Sequence, residues 1–271
     1  MIRNVLSIAG SDPSGGAGIQ ADIKAISANG AYAMTAITAL TAQNTQGVSW
    51  IELVPPDFVA AQIAAVFADV RVDAVKIGMI ATSDIAATVA DALTKHADNV
   101  PVVLDPVMIA KGGAPLLADD AVKTLRDRLL PLATLVTPNL PEAAHLLDEP
   151  VTMTRDAMAH HAQALAELGP QAVLIKGGHL PGDDSPDVLY AAGETHWFES
   201  KRTATQNTHG TGCSLSSALA AELAKGAALP QAVGAAKAYI TAAIVAADDL
   251  NVGQGHGPIH HFTNLWNHAH D

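Results

Sequence analysis

The chain has 271 residues, room for one large α/β domain or two small ones, and its 49% hydrophobic content with only 4% aromatic residues describes a core of Ala, Val, Leu and Ile. A formal net charge of −12 argues against a nucleic-acid surface, which needs clustered Lys and Arg. The single Cys excludes an intramolecular disulfide and a Cys-cluster metal site, and no apolar run approaches the roughly 18 residues of a membrane span.

The first residues, Met1 to Ile8, lack the apolar core of a signal peptide and run into a strand pattern, which predicts a cytoplasmic protein with no membrane partner. Short apolar runs bounded by Gly, Pro, Asp or Asn predict buried parallel strands over Val5–Ala9, Met34–Leu40, Ala74–Ile77, Val100–Leu104, Ala133–Val136 and Ala172–Ile175. Helical stripes fall between them: Ile19, Ile23 and Ile26, then Val59, Ile63, Val66 and Phe67, then Ile85, Val89 and Leu93, then Val122, Leu125 and Leu129. Asp57 and Ser83 read as N-caps, and Pro141 after Asn139 suits the first turn of a further helix. Val188–Tyr190 and Thr195–Phe198 read as an edge hairpin, and helices over Ser214–Lys225 and Pro230–Ala247 close the C-terminal part. This alternation predicts a doubly wound, mostly parallel central sheet with helices on both faces and right-handed crossovers. With no linker, repeat or low-complexity run, residues 1–271 read as a single domain.

In such sheets ligands gather at the carboxyl ends of the strands. Six ends here are polar or glycine-rich: Gly10 to Gly18, Gln43-Asn44-Thr45, Gly78-Met79, Asp105-Pro106-Val107-Met108, Thr137 to Glu142 and Lys176-Gly177-Gly178-His179. Together they read as an active-site rim. A further candidate is Thr208-His209-Gly210-Thr211-Gly212-Cys213, directly before the Ser214–Lys225 helix. Glycines at a helix start let the backbone turn tightly and aim N–H groups at a phosphate or oxyanion, and a thiol at the first turn gains thiolate character.

A Gly-x4-Gly-Lys-Ser/Thr loop and the protein-kinase motif set are both absent. Gly15-Gly16-Ala17-Gly18 is only loosely like a dinucleotide fingerprint, because no acidic residue closes the second strand. Phosphoryl transfer needs a phosphate cradle, a cation, a metal site and a positioned acceptor. Gly210-Thr211-Gly212 could cradle the transferred group and Lys176 could neutralise its oxygens, while Asp105 and Glu142 offer hard oxygen ligands for Mg²⁺. Glu142 could equally be a first-turn carboxylate serving its helix dipole, and Asp105 a cap or loop brace. His209 adjoins the anion loop and reads as a brace for that turn, and His160-His161 on a helix carry no functional signal. His256, His260, His261, His268 and His270 match no closed zinc site and read as exposed or loosely ordered tail histidines.

The run Ala9 to Asp22, with Ala42-Gln43-Asn44-Thr45, Lys76-Ile77-Gly78-Met79, Thr137 to Ala143, Lys176-Gly177-Gly178-His179 and His209 to Cys213, resembles the hydroxymethylpyrimidine/phosphomethylpyrimidine kinases of thiamine biosynthesis. The resemblance runs nearly the whole chain, to Gly257-Pro258, and implies a ribokinase-like fold. It further implies a kinase that uses ATP and Mg²⁺ to phosphorylate 4-amino-5-hydroxymethyl-2-methylpyrimidine to its monophosphate and then to its pyrophosphate. By the family pattern Gln43 would read the aminopyrimidine edge, Gly10 would offer a backbone N–H, and Asp22, Met79 and Val107 would surround the ring. The pattern places Lys176, Thr208, Gly210, Gly212 and Asn139 around ATP, Glu142 and Asp105 at the metal, and Cys213 as general base where sugar kinases of this fold carry Asp. Its partners would be the small pyrimidine and ATP, and relatives of this fold often form dimers, which implies a homodimer. A pyridoxal or pyridoxine kinase, or a dual-specificity enzyme, is the nearest alternative, and a non-catalytic ligand sensor a more distant one. Lys111-Gly112-Gly113-Ala114 has the glycines of a lid.

Overall fold

A computed structural model describes residues 1–108, 116 and 118–266. The proposed lid Lys111-Gly112-Gly113-Ala114, and His268 and His270, lie outside the described residues. Strands β1 (Asn4–Ala9), β2 (Tyr32–Ile37), β5 (Ala74–Ile77), β6 (Val102–Leu104), β7 (Leu135–Val136) and β8 (Ala172–Ile175) are parallel neighbours in the order β8-β7-β6-β5-β1-β2. The edge hairpin forms as the sequence predicts: β9 (Asp187–Ala191) runs antiparallel to β8 and pairs with β10 (Glu194–Phe198). From β1 the chain steps outward to β2, then returns to β5 on the other side of β1. That reversal opens a crevice at the carboxyl ends of β1 and β5.

Alternation along each strand separates two cores. Leu6, Ile8, Val75 and Ile77 face helices α2 (Pro56–Asp69), α3 (Ser83–His96), α5 (Leu140–Leu147) and α6 (Arg155–Ala166). Val5, Ala74, Val103 and Leu174 face α1 (Gly18–Ala28), α7 (Thr211–Ala224) and α8 (Leu229–Val245). Within the Ile19, Ile23 and Ile26 stripe, Ile19 and Ile26 are buried, while Ile23 is turned outward.

Several boundaries move for identifiable reasons. The predicted strand Met34–Leu40 is two elements, because the chain leaves the sheet at Thr38, whose hydroxyl donates to Met79 O at 2.7 Å. Beyond it β3 (Ala39–Asn44) pairs antiparallel with β4 (Gly47–Leu53), a strand that the sequence reading misses, in a separate two-stranded sheet. Gln43 therefore stands on this hairpin and not at the end of a central strand. Thr82, not Ser83, caps α3, accepting from Ile85 N, while the Ser83 hydroxyl bonds Thr124 Oγ1. Asp57 lies in the first turn of α2 behind Pro55 and Pro56. The stripe Val122, Leu125 and Leu129 begins in the short α4 (Asp119–Thr124) and passes into a wider π-type turn before Pro131, which has no N–H to extend a helix. His260 and His261 are buried, against the expected exposed tail, with His261 Nε2 2.9 Å from Ser214 Oγ and its backbone carbonyl accepting from Tyr239.

On the α1/α7 side of the sheet the apolar pattern is broken on purpose. Lys76 from β5 and Asp22 from α1 are fully buried, with Lys76 Nζ 2.9 Å from both Asp22 oxygens. Ser7 of β1 donates to Asp22 Oδ2 at 2.6 Å and Ser217 of α7 to Oδ1 at 2.8 Å, so one carboxylate ties two strands to two helices. Burial by itself lowers the Lys76 pKa, but the Asp22 charge more than reverses this and keeps the ammonium ionised. Removing one partner of a buried pair leaves the other uncompensated. Lys76→Met should therefore lose about 3–5 kcal/mol of unfolding free energy in a urea titration. A loss below about 1 kcal/mol would mean that the pair contributes no more than packing.

Candidate active site

Asp105 leaves the end of β6 and Lys176 the end of β8, and their side chains meet: Lys176 Nζ is 2.8 Å from Asp105 Oδ1 and 3.7 Å from Glu142 Oε2. Thr137 Oγ1 at 3.3 Å and Ser216 Oγ at 3.4 Å complete the shell around Asp105. Glu142 also does the structural job open to it in the sequence. It accepts from Asn139 N at 2.8 Å while Asn139 Oδ1 accepts from Glu142 N at 2.9 Å, a capping box that starts α5. The Asn139 carbonyl oxygen is thus committed to the cap.

Two carboxylates share one cation here, and the imbalance shows in the acidity of Glu142. Burial, reinforced by Asp105, pushes the Glu142 carboxyl up to about 7 against the pull of Lys176 and the Asn139 N–H. Burial lowers the Lys176 pKa, yet Asp105 and Glu142 outweigh it and hold the ammonium above its ordinary range. Among the described residues no three His, Cys, Asp or Glu side chains could enclose a metal ion. Mg²⁺ keeps several waters and is bound through one or two carboxylates plus phosphate oxygens, so Asp105 and Glu142, with negative charge in excess, fit it.

The mouth of α7 faces this cluster. A Cβ built on Gly212 would stand 3.4 Å from Lys176 Nζ and 3.6 Å from Asp105 Oδ2, so Gly212 faces the pair at ordinary contact distance for a methyl group. Its N–H is among the first-turn groups that have no partner within the helix. Gly210 is different. It caps α7 at φ +76°, and a Cβ there would lie 1.7 Å from Gly16 O. Gly210 therefore locks the anion loop against the β1–α1 loop. Thr211 Oγ1 donates to Thr208 O at 2.8 Å, which spends that hydroxyl on the loop.

Cys213 does not have the thiolate character that its helix position predicts. Burial, with Asp22 and Asp105 adding to it, raises the thiol to about 11 despite Lys76 and the Gly18 N–H. Asp22, expected near the ring, lies fully buried with both oxygens taken by Ser7, Lys76 and Ser217. Gly10 and Met79 do come together, a Cβ on Gly10 falling 3.2 Å from Met79 Sδ and 3.5 Å from Ala39 O of the hairpin. Val107 is half-buried two residues past Asp105, its N–H donating to Asp105 O at 2.8 Å.

The sequence reading gives Asp12 no role, yet it organises the β1–α1 loop. Its carboxylate accepts from Ser14 N and Oγ, Gly16 N, Ala17 N and His209 Nε2, the last at 2.9 Å. Burial would raise its pKa, but the His209, Ser14 and Ala17 hydrogen bonds prevail and hold it at about 2. An Asp two residues before Ser in a glycine-rich loop is an Asx-turn signal, which could have revealed it. His209 braces the anion loop, as the sequence allows, and its Nε2 also lies 3.3 Å from Gln43 Nε2.

Residues 12–260 match the family described as phosphomethylpyrimidine kinase. The chain is 53% identical over 263 residues to a hydroxymethylpyrimidine/phosphomethylpyrimidine kinase of Salmonella typhimurium, covering 97% of this chain and 98% of that one. Among solved structures it resembles a Bacillus subtilis pyridoxal kinase in complex with ADP, at TM-score 0.89 and 38% identity over 98% of this chain and all of that one. It also resembles a Clostridium difficile phosphomethylpyrimidine kinase, at TM-score 0.79 and 42% identity over 89% of this chain and 99% of that one.

The two loop glycines should separate cleanly. Gly212→Ala has room in the folded chain and should keep its melting temperature, while turnover falls by about 10² as the cradle is obstructed. Gly210→Ala has neither the space nor the backbone conformation and should lose stability first; comparable unfolding curves for the two variants would contradict this division. Glu142 makes stability pH-dependent in a definite sense. Its folded pKa of about 7 exceeds the ordinary 4.5, so the folded state binds the proton more tightly and stability falls as pH rises from about 4.5 to 7. Glu142→Gln, which can still accept from Asn139 N–H, should gain on the wild type across that window by up to about 3 kcal/mol. A difference that does not change with pH would show Glu142 to be ionised throughout.

Proposed function

The chain belongs to the phosphomethylpyrimidine kinase family, and from that membership we propose that it transfers the γ-phosphoryl of ATP to 4-amino-5-hydroxymethyl-2-methylpyrimidine and then to the resulting monophosphate, in thiamine diphosphate biosynthesis. The observation that carries the reading is the convergence of Lys176, Asp105 and Glu142 on the open mouth of α7. Loose phosphoryl-transfer transition states ask for positioning and charge stabilisation more than for covalent chemistry, and this cluster supplies both.

In this mechanism the α7 N–H groups at Gly212 and Cys213 hold the transferred phosphoryl, and Lys176 shifts from Asp105 and Glu142 toward its oxygens. Asp105 and Glu142 would hold Mg²⁺, largely through water, which supplies charge against the ATP phosphates. A groove of about 720 Å³ between β10 and α8, walled by Trp197, Phe198, Gly234 and Thr241, suits the flat base of the nucleotide. Lys237 on its wall donates to Asp187 Oδ2 while Asp187 Oδ1 accepts from Gly177 N, next to Lys176. Gly10, Met79 and Gln43 line the acceptor side. A single domain, a cytoplasmic setting and a homodimer belong to the same proposal. The exposed Leu40 and Trp50, on one side of the hairpin, are the face a second copy would cover, which sedimentation velocity would read.

Pyridoxal kinase is the reading next in order, since a structure of that name shares the fold closely. The paired donor and acceptor of the Gln43 amide favour the aminopyrimidine. Incubation with ATP, Mg²⁺ and each alcohol in turn, with ADP release as readout, should give turnover on the aminopyrimidine and on its monophosphate. No release with either would refute the assignment. Cys213 is proposed as proton acceptor for the first step, where an alcohol must lose its proton; the second acceptor is an ionised phosphate and needs none. With the thiol at about 11, only a small fraction is thiolate near neutrality. Single-turnover rates of the first step should then rise about tenfold per pH unit from pH 7 to 9, the second step should stay flat, and Cys213→Ala should abolish the slope. A flat first step in the wild type would remove Cys213 from proton transfer.

A further inference from the structure

Gln43 is held at both ends of its amide, and the protons available around it decide which way the amide faces. On one side Thr41 Oγ1 lies 3.2 Å from Gln43 Oε1 and also donates to Ser11 O at 2.9 Å. A hydroxyl has one proton, and the Ser11 carbonyl can only accept. That proton is spent on Ser11, which leaves Thr41 Oγ1 an acceptor toward Gln43. On the other side His209 Nε2 lies 3.3 Å from Gln43 Nε2 and 2.9 Å from Asp12 Oδ2. Asp12, with a pKa of about 2 and four further donors on its carboxylate, is ionised and can only accept. His209 Nε2 therefore carries a hydrogen, and an amide NH2 facing it would set donor against donor. Both contacts call for the same half-turn of the amide.

We propose that the Asp12–His209 pair and Thr41 are positioning residues that hold the Gln43 amide with Oε1 toward His209 Nε2–H and Nε2 toward Thr41 Oγ1, and that this orientation sets the choice of acceptor ring. His209 then shares its Nε2 proton between Asp12 and Gln43 Oε1 in a three-centre bond. One lone pair of Oε1 and one hydrogen of Nε2 remain for the substrate. That fixed acceptor–donor pair matches an aminopyrimidine edge, where an amino donor adjoins a ring-nitrogen acceptor. The corresponding edge of a pyridoxal ring carries its pair in the reverse order, a formyl acceptor next to the hydroxymethyl-bearing carbon and a hydroxyl donor beyond it. His209 directly precedes Gly210, so the same ring also ties the substrate reader to the phosphate cradle. The specificity part of this inference rests on the kinase function proposed above; the amide orientation does not.

A neutron crystal structure of the deuterated protein tests the orientation alone. Two deuterons on the amide atom facing Thr41 bear it out, and deuterons on the atom facing His209 overturn it, whatever the enzyme turns over. Steady-state kinetics test the consequence. His209→Leu and Thr41→Val, each removing one anchor, should raise KM for the aminopyrimidine about tenfold and leave KM for ATP within about twofold. His209→Gln, whose side-chain N–H can reach the same carboxylate, should recover most of that loss. Discrimination against pyridoxal should fall in the first two variants and return in the third. An unchanged aminopyrimidine KM in both Thr41→Val and His209→Leu, or a kcat loss equal for both acceptors, would overturn the specificity role and leave His209 a loop brace. Turnover of neither ring by the wild type would strike the proposed function, and the neutron result would still decide the orientation.

Discussion

The site depends on charge balance in a dry place. Beneath the mouth of α7 lie two ammonium groups, Lys76 and Lys176, and three carboxylates, Asp22, Asp105 and Glu142. Lys76 and Asp22 close on each other and are further satisfied by two serines, so that pair is complete and acts as a rigid floor. Lys176 is shared, and the surplus carboxylate is Glu142. Its raised pKa and its place in the α5 capping box express the same fact: a buried charge without its own cation needs backbone donors. A floor in balance with a surplus of one negative charge above it is poised to accept a cation with its anionic ligand.

The geometry follows from the parallel sheet. Side chains at strand ends project together only when neighbouring strands end at the same level, and β6, β7 and β8 do so, bringing Thr137 and Lys176 within hydrogen-bond reach of Asp105. The serines of α7 matter for the same reason. Ser214, Ser216 and Ser217 are all fully buried and bond His261, Asp105 and Asp22 in turn, so the helix whose start forms the anion cradle is fastened to the charged floor by its own first turns. Displacing the floor would therefore move the cradle.

Much of this was legible in the chain because it is local. The strands Ala74–Ile77 and Ala172–Ile175 and the capped start of α5 are set by apolar runs, Pro and Asn in contiguous sequence, and the structure reproduces them. The illegible parts are long-range. Nothing near Gln43 indicates that its strand leaves the main sheet, because the break at Thr38 is fixed by a carbonyl on Met79. Val48 to Leu53 has a mixed pattern, since the small hairpin buries neither face fully. Lys76 inside an apolar strand calls for a partner, but its identity, Asp22, depends on how α1 crosses the sheet. The burial of His260 and His261 depends likewise on helix-to-tail packing, with Ser214 of α7 and the Tyr239 hydroxyl of α8 as partners. The thiol of Cys213 reverses its local tendency because two distant carboxylates and burial outweigh one helix end.

The same balance bears on why a thiol stands at position 213, where sugar kinases of this fold carry a carboxylate. An Asp there would bring a fourth carboxylate beside Asp22 and Asp105, and the two ammonium groups whose charge reaches position 213, Lys76 and Lys176, are already engaged by carboxylates. Burying another unpaired charge costs several kcal/mol. A thiol, neutral at rest, leaves the floor in balance and lets the excess negative charge stay on Glu142, where a divalent cation can neutralise it. On this argument the thiol rests protonated because it is buried, with Asp22 and Asp105 adding to the effect of burial. A strong resting base at 213 would need a further cation, and among the described residues the salt bridges of Asp22, Asp105 and Glu142 to lysine are those with Lys76 and Lys176.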